Sequence, residues 1–186
     1  MTESSADRNA RFEAVYHEHY GAVWAYARRR VADAADADDV AAQTWLAVWR
    51  RLDDVPEGRE LPWCYGVARR CVANHRRGDE RRMRLVQVVA RERERDGIRD
   101  PDPRSDRLHD ALDRLRDDER ELLRLAAWER LAHADIALAL GATPNAVAVR
   151  LHRAKRKLAS VLKELDASGH TGGTASETTT PKRMAT

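Results

Sequence analysis

One phenylalanine, two cysteines and six prolines are all that the 186 residues hold of these types. With so little cysteine, no disulfide framework can be built. Cys64 and Cys71 are seven positions apart, which matches neither a zinc knuckle nor a paired-cysteine scaffold, so both are expected to pack as small apolar residues in a reducing compartment. β-Branched residues other than valine are scarce beside Ala, Arg, Leu and Asp, which favours helix over sheet. No apolar run approaches the roughly 20 residues that cross a bilayer, and residues 1–11 are polar, without the hydrophobic core of a signal peptide. The expectation is a cytoplasmic, all-α protein with no membrane partner.

An excess of one charge is also missing: 34 basic side chains face 31 acidic ones, for a net charge of +3. What is informative is their segregation. Asp33, Asp36, Asp38 and Asp39 crowd one short stretch, whereas residues 142–163 carry Arg150, Arg153, Lys155, Arg156, Lys157 and Lys163 with no acid at all. A second basic cluster, Arg69, Arg70, Arg76, Arg77, Arg81, Arg82 and Arg84, is diluted by Asp79 and Glu80. Two separated basic surfaces suit two contacts with a polyanion.

Catalytic constellations are absent as well. The seven histidines are scattered, and no nucleophile–base pairing or phosphate-cradling glycine loop stands out. His17 and His19 flank Glu18 in a metal-like triplet, but so short a triplet reads as a solvated helix segment. No catalytic residue, metal ligand or cofactor is therefore expected, and the chain is not read as an enzyme.

What is present is helical periodicity in two blocks. Phe12, Val15, Tyr16, Val23, Trp24, Ala27 and Val31 mark a first helix, weakened at Gly21. Val40, Thr44, Ala47, Val48 and Leu52 mark a second, with Asp36, Asp38 and Asp39 near its start, where negative charge suits the helix dipole. Asp53, Asp54, Pro56 and Gly58 close it, and a third is predicted from Pro62 to about Arg77. These define a first unit at residues 10–78. Residues 79–105 turn to charge repeats, glycine and proline and read as a linker, helical at first and flexible later. A second unit spans 106–165, and the Gly-, Ser- and Thr-rich tail 166–186 is expected to be disordered.

Within the second unit a short helix, Ala134 to Leu140, is followed by Gly141-Ala142-Thr143 and then by a long helix from Pro144 whose Val147, Leu151, Ala154, Leu158 and Leu162 form one stripe. Gly141 can take the positive φ of a sharp reversal, Thr143 can cap and Pro144 can open the next helix. This is a helix-turn-helix pattern, which lays its second helix in the major groove.

The segment LAHADIALALGATPNAVAVRLHRAKRKL, residues 131–158, with LDRLRDDERELLRLAAWE before it, resembles region 4 of extracytoplasmic-function (ECF) sigma factors of the sigma-70 superfamily. YARRRVADAADADDVAAQTWLAVWRRLDDV and LPWCYGVARRCVANHRR resemble their region 2. The resemblance covers about four-fifths of the chain, and the pairing of the two regions is its specific part. It implies two small helical domains joined by a flexible linker, and a function in binding core RNA polymerase, at its β′ clamp helices and β flap, and in directing it to promoter DNA. An anti-sigma factor, common in the family, is a further implied partner.

By the same resemblance Asp38, Asp39, Gln43, Trp45 and Trp49 become candidates for core binding, although Trp45 and Trp49 fit burial in the three-helix core nearly as well. Trp63, Arg70, Asn74, Arg76 and Arg77 become candidates for the unpaired −10 element, where a single strand is held by phosphate charge and base stacking; Trp63 too could be a core residue. On the second helix of the helix-turn-helix, Asn145, Ala148, Val149, His152 and Arg153 would read the −35 element, with Lys155, Arg156 and Lys157 on phosphates. Ala148 and Val149 depart from the polar residues of many relatives and would read bases by apolar contact. His133 and Arg116 depart from the usual Ser or Thr and from proline. The competing reading is a helix-turn-helix regulator that binds DNA without being a polymerase subunit, but residues 10–78 show neither a receiver domain nor a ligand pocket.

Overall fold

The computed structural model describes residues 5–86 and 103–170. They form seven α-helices and one 3-10 turn, with no strand among the described residues. The expected flexible linker and disordered tail concern mainly residues 87–102 and 171–186, which lie outside the described residues.

Three helices make the first unit: α1, Ser5–Arg28; α2, Ala34–Arg50; and α3, Glu60–Val86. The cap of α2 is Asp33, whose carboxylate accepts from the Asp36 N–H at 2.8 Å, so one of the crowded aspartates closes an orphan donor of the first turn. The stripe foreseen from periodicity is real: Val40, Thr44 and Val48 are fully buried. The Thr44 hydroxyl donates to the Val40 carbonyl at 2.7 Å, so its burial leaves no polar group unpaired. Leu52, also fully buried, sits in the 3-10 turn Leu52–Asp54 that ends the run.

The boundaries differ from the expected ones in three places. The last helix of the chain continues to His170, so residues 166–170, expected to open a disordered tail, are helical. Helix α1 begins at Ser5 and crosses Gly21 without interruption. Helix α3 begins two residues before Pro62 and continues through Gly78 to Val86. Pro62 still lies in the first turn, where its missing N–H is not needed, and a single interior glycine costs about 1 kcal/mol, too little to stop a helix of this length.

The second unit holds α4, Pro103–Asp113; α5, Asp117–Ala127; α6, His133–Leu140; and α7, Pro144–His170. Between α6 and α7, Gly141 takes φ +62° and Thr143 accepts from the Ala146 N–H at 3.2 Å. Both roles were foreseen from residue type. The apolar stripe Val147, Leu151 and Ala154 of α7 is buried.

The two units share one hydrophobic core. Its buried side chains run from Val23, Tyr26 and Leu52 through Cys64 and Tyr65 to Leu125, Ile136 and Val147. The seam lies between α3 and α6, where the alanines of α6 and Gly66 let the backbones approach: a Cβ on Gly66 would stand 2.9 Å from the Ala139 carbonyl oxygen. Cys64 and Cys71 are free and buried, and burial pushes the Cys64 thiol up to about 12, the profile of packing residues rather than reactive thiols.

Candidate nucleic-acid interface

The exposed side of α7 displays every residue singled out for DNA readout except Ala148. Asn145, Val149, His152 and Arg153 are solvent-facing, Ala148 is half-buried, and Lys155, Arg156 and Lys157 follow along the same helix. Val149, a large apolar residue, is 44% exposed, which suits an apolar contact on a base edge. Lys157 is less free than its sequence position suggested. Its ammonium lies 2.7 Å from Glu119 of α5, and that hydrogen bond holds the Glu119 carboxyl below its usual range. Any phosphate contact by Lys157 competes with this pair, an exposed one of modest strength.

On α3, Trp63 is half-buried, with the Arg51 guanidinium 5.4 Å from its ring centroid. Arg70 and Asn74 are both exposed, one helical turn apart. Arg77 donates to the Asn74 side-chain oxygen. Arg76 donates to the backbone carbonyl of Arg30 at 2.8 Å, so this arginine ties α3 to the end of α1, a structural role that the basic cluster alone did not announce.

On α2, Asp38, Asp39 and Gln43 are exposed. Asp38 accepts from the indole N–H of Trp24 at 2.7 Å. Trp45 requires a correction. Only 4% of it is exposed, and it is walled in by Phe12 and Tyr16 at ring distances of 6.2 and 5.0 Å. It shapes the bundle and offers no surface to a partner. Trp49 is half-buried under Phe12 and Arg8, the latter 5.3 Å over its ring. Leu46, not singled out from the sequence, is 49% exposed. It falls off the buried stripe and beside Asp39 and Gln43 on the helical wheel, and that offset from the stripe was the readable signal.

A further cluster joins the units. Arg30, with 2% of its side chain exposed, donates to Glu121 at 2.8 Å and to Glu129 at 3.1 Å. Its guanidinium also lies 3.5 Å over the Tyr26 ring, and the Tyr26 hydroxyl donates to Glu121 at 2.6 Å. Burial pushes Tyr26 well above its ordinary range. On the far side of α5, Leu108, Leu112, Trp128 and Leu158 line an apolar groove of about 280 Å³.

This arrangement of helices has relatives. Residues 15–82 match the Sigma-70 region 2 family and residues 105–158 match Sigma-70, region 4. The ECF RNA polymerase sigma factor SigL of Mycobacterium tuberculosis is 31% identical over 175 residues, covering 89% of this chain and 96% of that protein. The chain belongs to the ECF family of RNA polymerase sigma factors. RNA polymerase sigma factor CarQ of Myxococcus xanthus is 32% identical over 162 residues, covering 83% of this chain and 91% of CarQ. Among solved structures, the sigma factor RpoE in complex with the anti-sigma factor NepR from Bartonella quintana shares the fold, with a TM-score of 0.57 and 22% identity over 82% of this chain and 96% of that one. CnrH in complex with the cytosolic domain of CnrY does so with a TM-score of 0.56 and 24% identity over 82% and 88%. As an ECF sigma factor the protein serves core RNA polymerase in promoter-specific initiation, and the reading as a free-standing regulator is set aside. In this sigma factor, α1 to α3 are region 2, and α6 and α7 are the helix-turn-helix of region 4.

Proposed function

We propose that this sigma factor docks on core polymerase through the exposed face of α2 that carries Asp39, Gln43 and Leu46, with Asp38 and Trp49 at its margins. The unpaired −10 strand lies along α3 at Trp63, Arg70, Asn74 and Arg77, while the −35 duplex takes α7, with Asn145, Ala148, Val149, His152 and Arg153 at base edges and Lys155, Arg156 and Lys157 at phosphates. The observation that carries this reading is the solvent-facing side of α7 from Asn145 to Lys163, free of acidic residues and opposite the buried stripe, in one chain with a region 2 bundle whose own polar faces are open. The apolar groove between α4, α5 and α7 is offered to the β flap. An anti-sigma protein is a further partner, on the ground that the solved relative RpoE was captured with the anti-sigma factor NepR.

The protein acts as a binding subunit with no catalysis of its own, in the cytoplasm, where the polymerase meets the chromosome. No helix among the described residues is long and apolar enough to cross a membrane. The test is run-off transcription with purified core polymerase on a cognate promoter. The wild-type chain should support it, and joint replacement of Asp39 and Gln43 by alanine should reduce core association and transcript together while leaving the helical circular dichroism intact. Undiminished core binding by the double variant would move the interface off α2.

A further inference from the structure

A second kind of site lies on region 2, between the start of α2 and the middle of α3. His75 and Asp79 are four residues apart on α3 and so share a face, and Asp36, in the first turn of α2, closes against them. One donor atom from each residue lies within 4.8 Å of the other two. The His75 Nε2 atom is 3.2 Å from an Asp36 oxygen and 3.1 Å from an Asp79 oxygen.

These distances are short enough for hydrogen bonds, yet Nε2 is buried and has no hydrogen-bond partner. Neither oxygen lies along the ring's N–H direction. The side chain is only 9% exposed, so a polar atom sits in the interior aimed between two carboxylates. Leaving such an atom unsatisfied is costly, and a group placed among all three donors would remove the cost.

We propose that Asp36, His75 and Asp79 bind a divalent transition-metal ion. Donors at about 2.0 to 2.2 Å from one ion are spaced about 2.9 to 3.4 Å from each other for angles between octahedral and tetrahedral, and the two distances to His75 fall inside that window. One imidazole and two carboxylates, with no thiolate, suit zinc, manganese, cobalt or nickel rather than copper(I). Two carboxylates also neutralise the charge of the ion. Asp79 has its outer oxygen 3.2 Å from the Arg82 guanidinium, which orients the carboxylate as outer partners of metal ligands do. The two aspartate side chains are 27% and 43% exposed, so the ion has a way in from solvent. Three protein ligands leave room for water.

Bound there, the ion would join α2 to α3 beside Asn74 and Arg76. The site itself stands whether or not those residues touch DNA. The spacing of His75 and Asp79 alone does not announce it, because the third ligand comes from another helix 39 positions earlier.

The test uses the untagged full chain, stripped with chelator, titrated calorimetrically with Zn2+ and followed by visible absorption with Co2+. One ion per chain, Co2+ d–d bands and a higher thermal midpoint with Zn2+ are expected. Asp79→Asn, at a half-exposed position, and His75→Ala should each weaken binding at least tenfold, with helical circular dichroism confirming that each variant folds. A His17→Gln, His19→Gln double variant should bind as the wild type does, which excludes the Glu18 triplet as the source. Failure of the stripped wild type to bind either ion overturns the proposal and leaves His75 as a buried side chain packed between two carboxylates. Binding weakened less than tenfold in both folded variants overturns it equally.

Discussion

Arg30 and Glu121 are 91 positions apart in the sequence, and the Nε of Arg30 donates to Oε2 of Glu121 at 2.8 Å. The same guanidinium reaches Glu129 of the following turn, and Tyr26 donates to the other Glu121 oxygen. Region 2 thus carries a buried cation at the end of α1 and region 4 carries the two carboxylates that satisfy it. Burial and the neighbouring charge of Arg30 push Arg124, next in line, down to about 10.

Removing Arg30 leaves the buried Glu121 carboxylate without its guanidinium, holding only the Tyr26 hydroxyl, and leaves Glu129 with Arg29 alone. Breaking a buried pair by deleting one partner costs about 3–5 kcal/mol, so Arg30→Ala should lower the urea stability of the full chain by an amount of that order. Arg30→Lys should recover only part of it, since an ammonium lacks the planar fork that serves Glu121 and Glu129 together. A loss below about 1 kcal/mol for Arg30→Ala would mean that water replaces the guanidinium.

Acid should weaken the same contact. Burial would raise the Glu121 carboxyl, but the Arg30 charge and the hydrogen bonds of Arg30 and Tyr26 outweigh it and hold the group below its ordinary value. A carboxyl lowered on folding contributes stability that is full above its unfolded value, about 4.3, and is lost as pH falls through the lower folded value. Urea midpoints measured from pH 6 downward should therefore drop below about pH 4, and the drop should be shallower in Glu121→Gln. An identical acid profile in the variant would assign the loss to other carboxylates.

Gly66→Ala tests the seam directly. The new methyl would meet a backbone oxygen at 2.9 Å, and neither helix can yield at that point without moving as a body. Small-angle scattering should show a larger radius of gyration with helical content unchanged. Gly78→Ala is the control, since nothing lies within 4 Å of its added Cβ; it should stabilise α3 by about 0.5–1 kcal/mol. Equal radii for the two variants would show that the seam tolerates the methyl.

The α7 residues separate readout from anchoring. Arg153→Ala should cost about 1–3 kcal/mol on the preferred −35 duplex and relax preference at one position, if its guanidinium forks onto a base. Lys157→Ala should weaken specific and scrambled duplexes alike, and its salt slope should change by less than the full unit of a free phosphate contact, because Glu119 already holds the ammonium. Titration of both duplexes at several salt concentrations reads both effects. Equal loss on both duplexes for Arg153→Ala would reassign it to a phosphate.

The periodic stripes of α2 and α7, the cap at Thr143 and the turn at Gly141 were legible in the chain because each depends on residues within a turn or two. The exposure of Leu46 could be read from its offset from the stripe, but the burial of Trp45 could not: only the packing of α1 over α2 covers that indole with Phe12 and Tyr16. Arg76 was legible as charge, but its use, on the Arg30 carbonyl, depended on where α1 ends.

By itself the sequence determined the helical class, the helix-turn-helix and the kinship to ECF sigma factors, since propensity, capping and amphipathic period are local and survive in any arrangement of the helices. Only the tertiary structure decided that region 4 closes on region 2 through Gly66 and Arg30, and that Asp36 meets His75 and Asp79. Those contacts join residues tens of positions apart, and their energies come from burial and desolvation, which exist only once distant helices have excluded water between them.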